Sequence, residues 1–454
     1  MAASQMPSAL EDTTFECGDL IIEASPFAHI ISLKQNGKFC DFCALPPKAN
    51  RLRCCSACKY EHYCDQQCQK KAWKYHKFEC PLIRARLPRI PADSVRLLTK
   101  ILWNLSHEIY WPEHDPKWRS WHDLCHHSHA LKTDEVRSKQ WAELSFTVIQ
   151  YVGPENLKKH KLFSSPHALI EFGRMVFNGY TLTYMCEEIG AAVYVSPSIF
   201  NHSCRPNACH MTVGTRLYVR ALQQIDTSKE HIFVNYIDPM QRKEVRQATL
   251  LNDYYFHCDC IKCSDTNEAL LEATICPFCQ GEAVVDIEGN QVCQKCKKRL
   301  DSTEYLALCK KTITQREMLC QQALQKDLNI AELERFVTTQ RVLSANNVVL
   351  SAVKQTLYAF LCQFGEPLRA YDLGCELAEL HKLYYPAVYP SHGEHMFKQA
   401  RLAWQLDKHT TAISLYRQAI ESLKSTHGIE HPFSKTAQSD LTECELERCM
   451  LGQM

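Results

Sequence analysis

Hydrophobic and polar positions along this 454-residue chain follow a β-type pattern near the N-terminus and a helical pattern soon after it. Residues 19–33 are rich in isoleucine and predict the first strands of a sheet. Residues 85–170 carry apolar positions at helical spacing, as in Val95–Leu102, and predict helices. The N-terminal half therefore combines strands with a long helical stretch.

The β-type pattern returns near Met175, and short strands are predicted at Arg216–Ala221 and His231–Tyr236. From residue 301 to 454 the pattern is helical again. Segments such as Ala412–Ile420 resemble tetratricopeptide-like hairpins, whose stacked helix pairs bury their faces against neighbours. The pattern as a whole predicts an α+β chain, and the length of 454 residues suggests roughly three domains.

The most informative feature of the composition is the 26 cysteines, because they limit the kinds of site that the chain can form. Residues 1–14 lack the features of a signal peptide, and the chain has no apolar stretch of about 18 residues, so we expect no membrane span. A reducing compartment follows, where closely spaced thiols bind metal more often than they form disulfides. The net charge of +1 argues against a chain that coats nucleic acid along its whole length.

Fourteen cysteines and one histidine have the spacing of metal ligands, in three modules, and a fifteenth cysteine, Cys204, lies in the string Asn-His-Ser-Cys at 201–204. The first module has eight ligands, enough for two tetrahedral zinc ions: Cys40, Cys43, Cys55, Cys58, Cys64, Cys68, His76 and Cys80. His76 and Cys80 lie four residues apart in a predicted helix, so they share a face.

The second module, Cys258, Cys260 and Cys263, has three ligands, and a closed structural site needs a fourth from elsewhere. The third module predicts a zinc ribbon, with strands at 283–287 and from Gln291; its ligands are Cys276, Cys279, Cys293 and Cys296. The alternative is that the cysteines have this spacing by chance, and this alternative is strongest for the three-ligand module. We expect the eleven remaining cysteines to be small buried hydrophobic residues.

Several motifs together resemble the SET-and-MYND family of protein-lysine methyltransferases. The first module resembles a MYND finger, with Cys-Asp-Phe-Cys at 40–43 and Gln-Lys-Lys-Ala-Trp at 69–73. The segment 201–207, Asn-His-Ser-Cys-Arg-Pro-Asn, is similar to the SET signature, and 254–260 to the post-SET zinc motif. Tyr236 stands where the family has its catalytic tyrosine.

The resemblance implies a β-rich SET core split by the finger and followed by a tetratricopeptide-like domain. The implied segments are an N-terminal SET part (1–39), the MYND finger (40–80), a helical insertion (81–170), the core SET domain (171–250), a post-SET site with zinc ribbon (251–300) and a helical C-terminal domain (301–454). It also supplies Cys204 as the fourth post-SET ligand. Four zinc ions are then expected: two in the finger, one in the post-SET site and one in the ribbon.

The implied activity is methyl transfer from S-adenosylmethionine to a lysine of a histone or another protein. The amine must be neutral although its reference pKa is about 10.4, and a narrow apolar channel lowers that value. The resemblance assigns catalysis to Tyr236, the channel to Tyr180, Tyr236 and Tyr254, and cofactor binding to Asn178, Ser198, Asn201, His202 and Phe256. The alternatives are a core tyrosine for Tyr236, packing roles for Tyr254 and Phe256, a structural hydrogen-bonding role for His202 and a turn at 178–180.

The sequence departs from the family at the Gly-x-Gly loop, which wraps around the cofactor in family members. Glycine suits such a loop because it has no side chain, so the backbone can approach a ligand closely. Gly18 matches the turn after that loop, and residues 1–14 do not contain it. Either the sequence starts late, or the protein binds cofactor weakly or not at all. The second case favours a different function, that of an adaptor that binds proline-containing peptides in transcriptional regulation.

The resemblance further implies partners: proline-containing peptides at the finger, and chaperone or chromatin proteins at the C-terminal domain. Residues 48–77 hold eight Lys and Arg against Glu61 and Asp65, a pattern typical of DNA binding and also of a solvated face. We expect a monomer located in the cytoplasm and the nucleus.

Overall fold

The computed structural model describes residues 7–48, 50–108, 114–162, 167–286, 288–325 and 330–451. The chain forms two compact units. The first comprises Met1–Asn201, Ala208–Ile232 and Asp253–Tyr255, and the second comprises His202–Asn207, Phe233–Asn252 and Phe256–Met454. Strands and helices are mixed, and the C-terminal region is helical, so the α+β class is confirmed.

The first unit is built on two three-stranded antiparallel sheets, in the orders β2-β10-β9 and β3-β7-β6. The strands up to β11 are β1 (Thr14–Phe15), β2 (Leu20–Ala24), β3 (Ala28–Ile31), β4 (Arg53–Cys54), β5 (His62–Tyr63), β6 (Gly179–Tyr184), β7 (Glu187–Val193), β8 (Asn201–His202), β9 (Ala208–Val213), β10 (Arg216–Ala221) and β11 (Ile225–Asp226). The β-rich segment 19–33 contains β2 and β3, and the strand predicted at Arg216–Ala221 is β10, so both predictions are confirmed.

Six helices complete the first unit: α1 (Gln66–Arg86), α2 (Asp93–Ser106), α3 (Ser128–Thr133), α4 (Glu135–Val152), α5 (Pro154–His160) and α6 (His167–Phe177). Apolar residues of α2, α4 and α6 pack in one core with Phe27 and Ile30 beside β3. The prediction that the sheet resumes near Met175 was wrong, because Met175 is buried within α6 and the strand begins at Gly179. Gly179 and Tyr180 are therefore strand residues and not a turn.

The finger rests on the turn between β9 and β10. Thr215 donates its backbone N–H to the carbonyl of Cys43 at 3.1 Å. Gly214 in the same turn has φ +61°, and a Cβ there would lie 2.3 Å from the Cys43 carbonyl oxygen. Glycine is required at this position both for its left-handed backbone and for the close approach.

The second unit begins with one short strand and a helix that lead to the zinc modules. Its elements are β12 (Phe233–Val234), α7 (Lys243–Tyr254), α8 (Ile261–Ser264), β13 (Thr274–Ile275), β14 (Glu282–Val285), β15 (Gln291–Cys293), α9 (Thr303–Gln325), α10 (Ile330–Thr339), α11 (Val348–Gln363), α12 (Pro367–Tyr384), α13 (Pro390–Gln405), α14 (His409–Thr426) and α15 (Pro432–Leu451). The strand predicted at His231–Tyr236 is shorter than expected, since only Phe233–Val234 pair, with β8.

The ribbon prediction matches β14 and β15, and β13 adds a third strand. The helical prediction from residue 301 is confirmed, and Ala412–Ile420 lies within α14. Among the described residues, no helix combines the length and apolar character needed to cross a membrane.

Candidate functional site

The finger brings its eight predicted ligands into two groups of four. Cys40, Cys43, Cys64 and Cys68 form one group, and Cys55, Cys58, His76 and Cys80 form the other; within each group the ligand atoms lie within 4.8 Å of one another. The Sγ atoms of Cys43 and Cys64 are 3.6 Å apart, and those of Cys55 and Cys80 are 3.8 Å apart. A tetrahedral ion with Zn–S bonds of about 2.3 Å places sulfurs about 3.8 Å apart, so both groups fit zinc.

A buried carboxylate orients the single histidine ligand of the finger. Glu61 Oε2 lies 2.8 Å from His76 Nδ1, while His76 Nε2 lies 3.5 Å from Cys58 Sγ. Carboxylates that hold the second nitrogen of a ligating imidazole fix its tautomer and raise its basicity. Spacing within the sequence did not reveal Glu61 in this role.

Glu61 also belongs to a buried ion network that reaches α2. Arg96 Nη2 contacts Glu61 at 3.1 Å, Arg96 Nε contacts Glu79 at 2.8 Å, and Lys100 contacts both carboxylates. Burial opposes ionisation of Glu61, but Lys100, His76 and Arg96 hold its pKa well below the usual range. Because these cations occupy the carboxylates, the group Glu61, His76 and Glu79 is an ion-pair network and not a further metal site.

The post-SET module is completed from a distant segment. Cys204 lies in one group with Cys258, Cys260 and Cys263, all ligand atoms within 4.8 Å. The Sγ atoms of Cys204 and Cys263 are 3.6 Å apart, which fits zinc as closely as the finger groups do. The structure thus brings together the four ligands that the three-cysteine spacing could not supply alone.

Two residues of α7 position this loop, and the sequence analysis missed both. The Gln247 side chain donates to the Cys258 carbonyl at 2.6 Å and accepts the Cys258 N–H at 2.9 Å. Arg246 pairs with Glu268, and its Nη2 lies 3.8 Å from Cys263 Sγ. Both residues precede the motif by more than ten positions, so the local spacing of the cysteines holds no signal for them.

His202 connects the post-SET cluster to the predicted catalytic tyrosine. Its Nδ1 accepts the backbone N–H of Tyr236 at 2.9 Å, and its Nε2 lies 3.3 Å from Cys204 Sγ. Burial lowers the pKa of His202 to about 4, so the ring is neutral near pH 7. Since Nδ1 accepts, the proton sits on Nε2 and is directed at the sulfur. Both ring nitrogens of His202 thus have partners within the protein, as in the structural hydrogen-bonding role considered for this residue.

Two other predicted site residues lie beside this imidazole in the second unit. The rings of His202 and Tyr236 are 5.3 Å apart, and those of His202 and Phe256 are 6.1 Å apart. Tyr236 and Phe256 are both half-buried. The arrangement holds an aromatic wall at a fixed distance from the metal cluster.

Three more predicted residues lie together in the first unit. The Tyr180 hydroxyl donates to the Pro197 carbonyl at 3.3 Å, and the Ser198 hydroxyl donates to the Tyr194 carbonyl at 2.6 Å. Burial raises the pKa of Tyr180, a hydrogen bond with Ser198 opposes the rise, and the nearby Tyr254 adds to it. Burial likewise raises the pKa of Tyr254. These phenols are therefore neutral near pH 7.

The two predicted asparagines differ in what their side chains do. Asn178 is buried and donates to the carbonyls of Cys125 and Arg174, at 2.8 and 2.9 Å, so its amide closes the end of α6. Asn201 is half-buried at the start of the 201–207 segment. The side chains of Asn178, Ser198 and His202 all form hydrogen bonds within the protein. A cofactor would therefore be bound mainly by the backbone groups that these side chains hold in place.

The ribbon forms the fourth ligand group. Cys276, Cys279, Cys293 and Cys296 lie within 4.8 Å of one another, with Sγ separations of 3.8 Å between Cys276 and Cys296 and 3.5 Å between Cys279 and Cys293. The β14–β15 hairpin connects the first pair of these cysteines to the second pair. This group also fits a tetrahedral zinc ion.

The prediction for the remaining cysteines was largely wrong. Cys209 and Cys444 are buried, and Cys309 is half-buried. The exposed ones are Cys17, Cys54, Cys125, Cys186, Cys362, Cys375 and Cys449; the side chain of Cys320 lies outside the described residues. Most of these thiols therefore lie outside the hydrophobic core.

Comparison with known proteins shows what this chain is similar to. The family model of the MYND finger matches residues 40–80, which confirms the predicted finger and its zinc binding. The chain is 27% identical over 429 residues to Histone-lysine N-methyltransferase SMYD3 of Mus musculus, covering 94% of this chain and 92% of that protein.

Two further relatives match at similar length. Histone-lysine N-methyltransferase ASHR1 of Arabidopsis thaliana is 26% identical over 459 residues, covering 95% of this chain and 92% of that protein. N-lysine methyltransferase SMYD2 of Homo sapiens is 25% identical over 438 residues, covering 94% and 93%. The similarity therefore extends over both units, far beyond the finger.

Proposed function

We propose that this chain, which belongs to the SMYD-type family of SET-and-MYND proteins, is an S-adenosylmethionine-dependent protein-lysine N-methyltransferase that acts on histone or other protein lysines. The observation that carries the proposal is the match over more than nine tenths of the chain to proteins named lysine methyltransferases. The cluster of His202, Tyr236 and Phe256 beside the post-SET thiols supports it. These matches favour the enzyme over the adaptor.

The residues of this chain would act mainly by excluding water and aligning the amine. Tyr180, Tyr236 and Tyr254 form the walls of the proposed lysine channel, which lowers the pKa of the incoming ammonium and lets it lose its proton. Tyr236 orients the transferred methyl through its hydroxyl, and alignment supplies most of the rate. S-adenosylmethionine supplies a methyl group on a sulfonium; Asn178, Ser198, Asn201, His202 and Phe256 form its proposed pocket.

Zinc has a structural role in this proposal. Each of the four ligand groups supplies four Cys or His ligands, which leaves no open position for substrate. We assign two ions to the finger, one to the post-SET group and one to the ribbon. The post-SET ion tethers the loop after α7 to the segment that carries His202.

The architecture proposed with this function is a SET core split by the finger, with a tetratricopeptide-like C-terminal domain that spans residues 301–454 and contains α9–α15. The finger docks proline-containing peptides, and the C-terminal helices receive an extended protein partner such as a chaperone or chromatin protein. A monomer located in the cytoplasm and nucleus completes the proposal.

The test uses the full chain loaded with zinc. Calorimetric titration with S-adenosylmethionine is expected to yield a saturable isotherm, and incubation with histones or a total protein extract is expected to yield methylated lysines by mass spectrometry. Absence of binding at about millimolar cofactor, together with absence of methylated lysine, would leave the adaptor as the better function.

A further inference from the structure

The segment that follows Tyr236 is bound to the helices α11 and α12 within the second unit. It comprises residues 237–240, in the connection between β12 and α7, and its last two residues, Pro239 and Met240, are buried. The backbone of Tyr236 is held from one side by the imidazole of His202. The partners of residues 237–240 therefore determine how firmly Tyr236 is held from the other side.

The first partner is a hydroxyl group at the end of α12. Tyr385, which follows the last residue of this helix, donates its hydroxyl to Asp238 Oδ1 at 3.1 Å. The same carboxylate oxygen accepts the backbone N–H of Met240 at 2.9 Å, so Asp238 closes a turn of the segment. Tyr385 is 8% exposed, and its ring lies parallel to that of Tyr389 with 4.6 Å between the centroids. Packing of the ring therefore fixes the direction of the hydroxyl.

The second partner is a buried ammonium group. Lys262 is 8% exposed, and its Nζ donates to the Pro239 carbonyl at 2.9 Å and to the Tyr384 carbonyl at 3.1 Å. Glu268 lies 3.5 Å from the same nitrogen and supplies the opposite charge that a buried cation requires. One ammonium group thus joins the segment after Tyr236 to the last turn of α12.

The third partner is a side-chain amide on α11. Gln355 Nε2 lies 3.3 Å from Met240 Sδ and 2.9 Å from His381 Nε2, so it contacts the segment and α12 at once. The three partners contact three successive residues, at positions 238, 239 and 240. The segment is therefore anchored along most of its length, and a shift of α12 would shift it as well.

We infer that Tyr385 is a positioning residue for methyl transfer, which acts on Tyr236 through Asp238. The inference rests on the proposed function and deepens it, because the alignment of the reacting centre then depends on α12 as well as on the post-SET group. His202 holds the backbone of Tyr236 from one side, and the segment anchored by Tyr385 holds it from the other. Since the rate depends steeply on the alignment of the reacting atoms, loss of this anchor lowers turnover.

The experiment combines steady-state kinetics with backbone hydrogen exchange, both on the full zinc-loaded chain. Labelled S-adenosylmethionine is the methyl donor, and histones are the methyl acceptor, or a protein extract if histones are not methylated. Tyr385→Phe deletes the hydroxyl and keeps the ring beside Tyr389. We expect kcat to fall by about fivefold, the ratio that corresponds to the loss of one hydrogen bond, and KM for the methyl donor to stay at the parental value.

Hydrogen exchange reports on the anchor itself and needs no activity. In Tyr385→Phe the backbone amides from Tyr236 to Met240 are expected to exchange at least about threefold faster, because the turn closed by Asp238 loses its contact with α12. The matched control is Tyr371→Phe, at a half-buried tyrosine that lies about 20 Å earlier along the same helix. Its kcat and its exchange in this segment should both equal those of the parent.

Two substitutions of Asp238 separate positioning from recognition of the substrate. Asp238 is exposed, so neither substitution should disturb the packing of α12. Asp238→Asn keeps an oxygen that accepts from Tyr385, and parental kcat is expected. Asp238→Ala removes the acceptor and should lower kcat at least as much as Tyr385→Phe does. The double variant should be no slower than Asp238→Ala, because both changes break the same contact.

The possible results distinguish this inference from the proposed function. A parent chain that methylates neither histones nor an extract overturns the proposed function and the inference with it. An active parent with unchanged kcat in Tyr385→Phe or in Asp238→Ala overturns the inference alone, as does a lower kcat without faster exchange. A raised KM for the methyl acceptor in Asp238→Asn, with kcat unchanged, would instead assign Asp238 to binding of a basic substrate and would also overturn it.

Discussion

The backbone N–H of Tyr236 donates a 2.9 Å hydrogen bond to Nδ1 of His202. The other nitrogen of that ring lies 3.3 Å from Cys204 Sγ, so one neutral imidazole separates the proposed catalytic tyrosine from a proposed zinc ligand. The post-SET cluster thereby helps to fix the position of Tyr236, in the segment that follows β12. Groups that orient metal ligands in this way typically change activity or metal affinity 10–100-fold when they are removed.

Replacement of His202 by alanine should therefore impair catalysis without unfolding the protein. The Tyr236 N–H and the Cys204 sulfur would both lose their partner, and we expect methyl transfer to fall by about 10–100-fold. Steady-state kinetics on the zinc-loaded variant measure this. His129→Ala, at an exposed histidine, is the control and should behave as the parent does; equal rates in both variants would remove His202 from the account.

Replacement of Cys204 by serine should release one zinc ion. Three ligands do not make a closed structural site, so the metal content is expected to fall from four ions per chain to three. Elemental analysis of purified protein counts the ions. Cys449→Ser, at an exposed cysteine outside every ligand group, should retain all four. A full complement in Cys204→Ser would show that the fourth ligand lies elsewhere.

Replacement of Arg96 by methionine should strongly destabilise the first unit. The change leaves Glu61 and Glu79 buried without their fully buried partner, and loss of one member of such a network lowers the free energy of unfolding by about 3–5 kcal/mol. Urea unfolding followed by circular dichroism measures the effect. Lys229→Met removes an exposed pair with Asp226 and should leave the midpoint unchanged. Similar midpoints in the two variants would contradict a structural role for the network.

The C-terminal helices should lose stability as the pH falls below neutrality. Burial lowers the pKa of His381 to about 3, with His395 and His392 adding to the shift. The unfolded chain takes up this proton near pH 6.5 and the folded chain does not, so stability is complete above about pH 6.5 and falls as the pH drops from there toward 3.

For His381 alone, the loss between about pH 7.5 and 5.5 is about 1.4 kcal/mol. His381→Gln retains a side-chain acceptor for Gln355 and cannot titrate, so its unfolding free energy should vary less with pH by that amount. Denaturant titrations of parent and variant at both pH values measure the difference. Parallel pH profiles would show that His381 takes up its proton equally in the folded and the unfolded chain, and would contradict a lowered pKa.

Local spacing predicted the zinc groups well, because neighbouring ligands of one group are two to four residues apart in the sequence and bind the same ion. It could not supply Cys204, which joins the post-SET triplet across more than fifty residues and was placed only by the family resemblance. Local spacing also did not predict the roles of Gln247, Glu61 and Arg96, because these roles depend on which helix packs beside which cluster. Met175 was misplaced because a buried helix end and a strand start show the same run of apolar residues.

The substitution Tyr236→Phe tests the proposed methyl transfer most directly, because it deletes one hydroxyl and keeps the ring beside His202. We predict that turnover with labelled S-adenosylmethionine falls by about 100-fold, the usual effect of losing one oriented polar group at a reacting centre, while zinc content and unfolding temperature stay at parental values. Tyr255→Phe, which loses a 2.9 Å hydrogen bond to Asp134 next to the same loop, should retain parental turnover. Parental kinetics in Tyr236→Phe would contradict the assignment of this tyrosine and the catalytic centre built around it.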